Sequence, residues 1–260
     1  MSHLFDELIK IMSRLRGDDG CPWDRQQTHD TLKPYLIEES YEVLEAIDLK
    51  DPKHLTEELG DLLLQVVFHA RIAEEKGEFS IENVLKGLIE KLTKRHPHVF
   101  GGEEAPTAEK VLHNWEKNKM KEKEGARQSY LDGVPPSLPS LMRAQNVQKK
   151  AARIGFDWEK KEEVMAKVEE EWEEFKNALH KKDQNEIEEE VGDLFFSLVN
   201  LSRALKLDAE QLLSRSTEKF IFRFKTMERE AKKNGLLLEN LTPEAMNQLW
   251  ERAKIKEPES

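Results

Sequence analysis

The chain has 260 residues, enough for one large or two ordinary domains, and 38% of them are hydrophobic while 36% are charged. Its net charge of -11 argues against a protein that binds nucleic acid or an anionic membrane, since such proteins need a basic face. The single cysteine, Cys21, excludes a disulfide framework and a cysteine-based zinc site, so we expect a cytoplasmic protein.

The N-terminal segment, residues 1–15, has apolar residues at helical spacing together with acidic ones. This pattern predicts an amphipathic helix and not a signal peptide. No apolar run in the chain approaches the ~18 residues that a membrane-spanning helix needs, so we expect no membrane partner.

The rest of the first half also has helical periodicity. A loop at 17–24 ends the first helix, and Pro34 is predicted in the first turn of the next, where its missing N–H is harmless. That helix forms a hairpin with one over about 52–75. Ser80 is the predicted N-cap of a helix that runs to about residue 95, and after a break a further helix covers about 107–124.

The second half repeats this order. Residues 125–139 are rich in proline and glycine and are predicted as a linker between an N-terminal domain, 1–124, and a C-terminal domain, 140–260. Helices are predicted over about 140–154, on both sides of Lys182, over about 208–233, and after Thr242-Pro243. No stretch has convincing strand alternation, so the predicted fold is all-α, with two tandem helical domains.

Four acids in the first hairpin stand in mirrored pairs. Glu39 and Glu42 share one helix face, as do Glu58 and Asp61, and both pairs are centred on Lys50. An antiparallel hairpin therefore brings four carboxylates together, in a stripe that a helix normally buries with apolar residues. Because buried unpaired carboxylates are costly, we expect a cation there, and Mg²⁺ prefers oxygen ligands and bridges carboxylates to phosphates.

The same arrangement occurs again 132 residues later. Glu171, Glu174, Glu190 and Asp193 repeat the spacing of three, sixteen and three, now centred on Lys182. One acidic pair would indicate little in a chain with 52 Asp and Glu residues, since most such pairs are solvated helix faces. A mirrored set that occurs twice favours a metal site.

A Lys-x₃-Arg pair and a tryptophan follow the acids in each half. They are Lys91, Arg95 and Trp115 in the first half, and Lys219, Arg223 and Trp250 in the second. The order suggests a phosphate site with a partner that covers an apolar ligand face. A solvated basic face and ordinary core packing of the tryptophans remain the alternatives.

Both halves thus carry Glu-Glu-x-x-Glu followed by Glu-x-x-Asp. The motif stands as Glu38-Glu39-x-x-Glu42 with Glu58-x-x-Asp61, and as Glu170-Glu171-x-x-Glu174 with Glu190-x-x-Asp193. These residues resemble the MazG family of nucleoside triphosphate pyrophosphohydrolases, among the all-α NTP pyrophosphatases that also include dimeric dUTPases. Residues 20–24, 95–100 and 138–145 also look like two-domain bacterial members, so the resemblance covers nearly the whole chain.

The resemblance implies hydrolysis of a nucleoside triphosphate such as ATP between its α and β phosphates, giving a monophosphate and pyrophosphate. It implies Mg²⁺ as cofactor, with Mn²⁺ as a substitute, and a cytosolic homodimer whose helices complete four-helix bundles. In members of this kind the C-terminal copy looks like the active one, although the N-terminal acids are intact in this chain.

The resemblance also implies roles for single residues. Glu171, Glu174, Glu190 and Asp193 are expected as metal ligands, with Glu39, Glu42, Glu58 and Asp61 as the second copy. Separately from the resemblance, the position of Glu170 beside the expected metal ligands makes it the candidate to orient or deprotonate water. The implied nucleotide-binding residues, with Trp250 beside the nucleoside, are Lys167, Val168, Glu169, Glu170, Glu171, Glu186, Ile187, Glu188, Glu189, Asp193, Lys219, Phe220, Ile221, Phe222, Arg223 and Trp250.

Two other interpretations need comparison. A di-iron carboxylate bundle uses Glu-x-x-His on two helices, and this sequence contains none. A non-catalytic helical interaction module would use the acids only to hold structural metal. Release of pyrophosphate from a triphosphate would distinguish the enzyme from the module.

Overall fold

The computed structural model describes residues 2–102, 106–107, 110–111 and 129–255. The regular structure in these residues is helical, with no strand among them, which confirms the all-α fold class. The chain divides into two compact units, residues 1–124 and 125–260. Within the described ranges, no helix is both long and apolar enough to cross a bilayer.

The first unit contains six described helices. They are α1 Ser2–Leu15, α2 Pro22–Gln26, α3 Lys33–Asp48, α4 Pro52–Glu75, α5 Ile81–Arg95 and α6 Pro97–Phe100. Ser80 is the N-cap of α5, as the sequence predicted. Most of the helix predicted over 107–124, including Trp115, lies outside the described residues.

The predicted hairpin of the first unit is α3 followed by α4. The chain reverses at Lys50, whose φ of 54° is left-handed, and Asp51 then caps α4. The Asp51 carboxylate accepts from the backbone N–H groups of Lys53 and His54, at 2.9 and 3.2 Å. This cap satisfies two N–H groups that a helix start leaves without intrahelical partners.

The core of the first unit packs α1 and the segment before α3 against the C-terminal half of α4. Its buried apolar side chains are Met12, Leu32, Val67, Phe68 and Ile72. Each large apolar side chain buried in this way contributes about 1.5–3 kcal/mol relative to exposure. The core therefore anchors α4 beyond the turns that carry Glu58 and Asp61.

The described part of the second unit contains five helices and one short 3₁₀ helix. They are α7 Ser140–Arg153, α8 Lys161–Lys181, α9 Gln184–Ala204, α10 Ala209–Lys233, the 3₁₀ helix Leu238–Asn240 and α11 Pro243–Ile255. Part of the predicted linker contacts this unit, because Lys150 Nζ donates to the carbonyl of Asp132 at 2.6 Å.

The second hairpin, α8 with α9, repeats the construction of the first. Lys182 has a left-handed φ of 57°, and Asp183 caps α9 by accepting from the N–H groups of Asn185 and Glu186 at 3.0 and 3.4 Å. The two reversals predicted at Lys50 and Lys182 are therefore confirmed. The same turn and cap set the register of the acids in both units.

We expect Asp183→Ala to lower the free energy of unfolding by about 1 kcal/mol, because the first N–H groups of α9 lose their side-chain acceptor. Urea denaturation followed by circular dichroism measures the change. Asp183→Asn keeps an acceptor and is the matched control, expected close to wild type. An alanine variant as stable as the asparagine variant would contradict the capping role.

Candidate metal and nucleotide site

The first hairpin brings its acids together. Ligand oxygens of Glu39, Glu58 and Asp61 lie within 4.8 Å of one another, although Glu58 is only 7% exposed. Burial, and then the charge of Asp61, raises the pKa of Glu39. Burial, and then the charge of Glu42, raises the pKa of Glu58. All four predicted carboxylates therefore share one electrostatic environment, as the mirrored spacing predicted.

His54 joins this group from one turn earlier in α4. Its Nδ1 lies 3.2 Å from Glu58 Oε1, and with Glu57 and Glu58 it forms a second group of potential ligand atoms within 4.8 Å. The spacing of four between His54 and Glu58 is the sequence signal for this histidine.

The second hairpin gathers the equivalent acids. Glu171, Glu190 and Asp193 place ligand oxygens within 4.8 Å of one another, and Glu171 is only 6% exposed. Burial, and then the charge of Glu174, raises the pKa of Glu190. An all-carboxylate group in which like charges oppose ionisation is chemically suited to a hard divalent cation.

Lys167 lies against these acids in the second unit. Its Nζ is 2.8 Å from Glu170 and 2.6 Å from Glu171, and these hydrogen bonds, with Glu170 first, raise the pKa of Lys167. The lysine therefore stays protonated beside the acid group. The residue 132 positions earlier is Tyr35, so the first unit lacks this cation at the equivalent position.

A cleft of about 490 Å³ opens beside the second acid group. Lys167, Glu171 and Asp193 line part of it. The remaining wall includes the apolar residues Tyr130, Leu131, Val147, Ile154, Phe156, Trp158 and Phe196, and the polar residues Gln148, Ser197, Asn200 and Arg203. Three of the predicted site residues therefore face one pocket with a large apolar surface.

Sequence reasoning missed most of this cleft. Neither Trp158 nor Gln148 belongs to a motif that the sequence predicted. Their signal is weak because α9 is distant in sequence from α7 and the 155–160 loop, and no periodic pattern links them.

The predicted cation and aromatic residues of α10 and α11 form a separate cluster. The Arg223 guanidinium carbon lies 5.5 Å from the Trp250 ring centroid, and the Phe220 ring centroid is 5.2 Å from that of Trp250. Trp250 packs on the buried residues Met227, Ala231, Leu249 and Ala253. The described residues that line the cleft do not include Lys219, Arg223 or Trp250.

Other predicted residues, on α8, α9 and α10, lie outside the cleft lining. Glu186 and Glu188, near the start of α9, bond to Lys181 and Gln184 at 2.8 and 2.9 Å. Among the remaining ones, Glu169 and Glu189 are exposed, Val168 is buried, and Ile187, Ile221 and Phe222 are half-buried. The proposed nucleotide-binding roles of these residues stay predictions.

Comparisons with known proteins agree with one another. The family model described as MazG nucleotide pyrophosphohydrolase domain matches residues 27–100 and 159–227. The chain is 51% identical to a protein of Thermotoga maritima called nucleoside triphosphate pyrophosphohydrolase/pyrophosphatase MazG, over 96% of each chain. It is 44% identical to the nucleoside triphosphate pyrophosphohydrolase of Escherichia coli K12, over 97% of each.

A solved structure is also similar. The crystal structure of a MazG-related protein from Thermotoga maritima covers 44% of this chain and 98% of its own, with 31% identity and a TM-score of 0.39.

The raised pKa values predict a pH effect on the metal-free protein. A carboxyl whose pKa rises above its ordinary 4.5 on folding stabilises the fold at acid pH, and this stabilisation is lost as the pH rises through the raised value. We therefore expect Glu190→Gln to raise the melting temperature after EDTA dialysis at about pH 7, and to change it little at about pH 4.

Differential scanning calorimetry at both pH values measures this difference. Glu228→Gln, an exposed change in α10, is the control and should shift neither melting temperature. Equal melting temperatures of wild type and Glu190→Gln at neutral pH would contradict the crowding of these carboxylates.

Proposed function

Because the chain belongs to the MazG nucleotide pyrophosphohydrolase family and is a hydrolase of phosphoric anhydride bonds, we propose that its second unit cleaves its substrate between the α and β phosphates. The substrate is a nucleoside triphosphate such as ATP, and the products are the monophosphate and pyrophosphate. The observation that carries the proposal is the acid group of Glu171, Glu190 and Asp193 beside the Lys167-lined cleft.

Mg²⁺ is the proposed cofactor, and Mn²⁺ is its proposed substitute. The donor set of the second unit fits a hard cation, because Glu171, Glu174, Glu190 and Asp193 offer only carboxylate oxygens. When bound there, Mg²⁺ supplies polarisation of the phosphate oxygens and lowers the pKa of bound water.

The chain's own residues hold and orient the substrate in this proposal. Protonated Lys167 binds phosphate oxygens next to the acids, where it also offsets the charge of Glu171. Glu170, exposed and 2.8 Å from Lys167, is proposed to orient the attacking water or to take its proton. The apolar cleft wall excludes water from the other end of the substrate.

The first unit is proposed to hold metal without turnover. It retains Glu39, Glu42, Glu58 and Asp61, but Tyr35 stands at the position that corresponds to Lys167. If the metal in the first unit is structural, the non-catalytic interaction module remains the alternative for that unit alone.

A cytoplasmic homodimer is also proposed, without nucleic-acid or membrane partners. The second hairpin leaves large apolar side chains in solvent, including Trp172 at 47% and Phe195 at 59% exposure. Apolar faces of this kind mark interfaces, and two paired hairpins would complete a four-helix bundle. Since Lys219, Arg223 and Trp250 do not line the cleft of their own chain, we propose that they contact a nucleotide bound to a second copy.

We expect Glu171→Gln and Asp193→Asn to lower kcat for pyrophosphate release by about 100-fold or more, because each removes a charged metal ligand. Asp61→Asn is the matched control in the first unit and should keep most of the activity. Circular dichroism and melting temperature verify folding. Wild-type turnover by both second-unit variants would refute the assignment.

The dimer is tested with Phe195→Glu. A charge on this exposed apolar face should convert the dimer to a monomer in multi-angle light scattering, because the buried interface would then contain an unpaired carboxylate. Leu4→Glu, an equally drastic change on an exposed residue of α1, is the control for the second-unit interface. A wild-type protein that is monomeric at micromolar concentration would contradict the dimer.

A further inference from the structure

The cleft of the second unit lies where the first unit has part of its core. Phe68 on α4 and Leu32 just before α3 are both buried in the core of the first unit. The residues 132 positions later are Asn200 and Val164, and both line the cleft of about 490 Å³. Since the same offset relates the acids of the two hairpins, these positions correspond. The second unit is therefore open at a place where the first unit packs apolar side chains together.

Smaller side chains account for this opening. At three corresponding positions the cleft lining of the second unit has the smaller residue of each pair. The pairs are Leu32 and Val164, Gln65 and Ser197, and Phe68 and Asn200. Protein interiors are normally close-packed, and a cavity left by a lost side chain costs stability. An opening made in this way is therefore expected to have an occupant.

Asn200 is held in place at the cleft. It is only 5% exposed, and its Oδ1 accepts from Arg203 Nε at 2.8 Å. Arg203 also forms a two-point ion pair with Asp157, in which Nη1 is 2.9 Å from Oδ2 and Nη2 contacts Oδ1. Asp157 lies between Phe156 and Trp158 in the sequence, so α9 braces the loop that carries the aromatic part of the wall.

The first unit uses the corresponding arginine differently. Arg71, 132 positions before Arg203, bonds along its own helix to Glu74 and Glu75, at 2.9 and 3.0 Å. The contact from this helix to the preceding loop therefore accompanies the open cleft of the second unit and not the filled core of the first.

The position of the cleft indicates its occupant. Lys167, Glu171 and Asp193, the proposed phosphate and metal end of the site, line the same cleft as Phe156 and Trp158. A volume of about 490 Å³ lies within the ~300–1,000 Å³ typical of ligand pockets. A triphosphate held at the acids therefore has room for its nucleoside in the cleft, where aromatic side chains suit a flat base.

We propose that Asn200 determines the substrate range of the second unit, because its short side chain leaves the space that a nucleoside occupies, whereas Phe68 fills the corresponding space in the first unit. The inference rests on the proposed function and adds a residue that determines specificity to it. A polyphosphate without a nucleoside does not need this space.

The test places the residue of the first unit in the second. For the full-length protein with Mg²⁺, AMP formation from ATP gives KM, and inorganic tripolyphosphate as a competitor gives an inhibition constant for the phosphate end alone. Asn200→Phe should raise KM for ATP about tenfold or more and leave the inhibition constant within about twofold of wild type. Gln211→Phe, an exposed change in α10, is the matched control and should change neither value.

Several outcomes overturn the proposal. A folded Asn200→Phe variant with the KM of wild type overturns it, as does one that weakens ATP and tripolyphosphate equally. A changed oligomeric state in light scattering with an unchanged KM would assign the cleft to a second copy instead. If the variant does not fold, the wild type still decides, because tripolyphosphate should bind about tenfold or more weakly than ATP. Failure of the wild type to form AMP overturns the proposed function itself.

Discussion

The structure depends on carboxylates that are held together against their own repulsion. In each unit an antiparallel helical hairpin places acids from two helices within a few ångströms, and burial with mutual charge raises the pKa of Glu39, Glu58 and Glu190. Such crowding costs stability in the absence of a cation. The surrounding core and the capped helix starts offset this cost, so that oxygens are positioned before a cation arrives.

The two units use one scaffold with different surroundings for the acids. In the second unit Lys167 adds a positive charge, and the cleft extends the acid group toward aromatic residues. In the first unit Tyr35 replaces the lysine, and His54 adds a nitrogen next to Glu58. Intact ligands are therefore insufficient to make the two units equivalent, because the adjoining cation and cavity determine what else can bind.

The hairpins could be predicted from sequence because their information is local: mirrored acids, a turn and a capping aspartate are all read within about thirty residues. The grouping of Arg223 with Trp250 has a weaker signal in the sequence, since basic faces and core tryptophans are common, and its relation to the acids stays a prediction. The cleft could not be predicted, because Gln148, Trp158 and Asn200 meet only through the packing of α7, the following loop and α9.

Lys50 and Lys182, the left-handed residues at the two chain reversals, restrict how the connection between the two helices of each hairpin can change among related sequences. Each added residue rotates a helix by about 100°, so a single insertion between Glu42 and Glu58 would swing the second pair of acids out of the shared environment. The length of this connection therefore helps to set the geometry of the acids, together with its turn and its capping aspartate. Related chains should therefore keep the number of residues in this segment even where its amino acids differ. The two halves of this protein already do so, since both separate the two pairs of acids by sixteen positions.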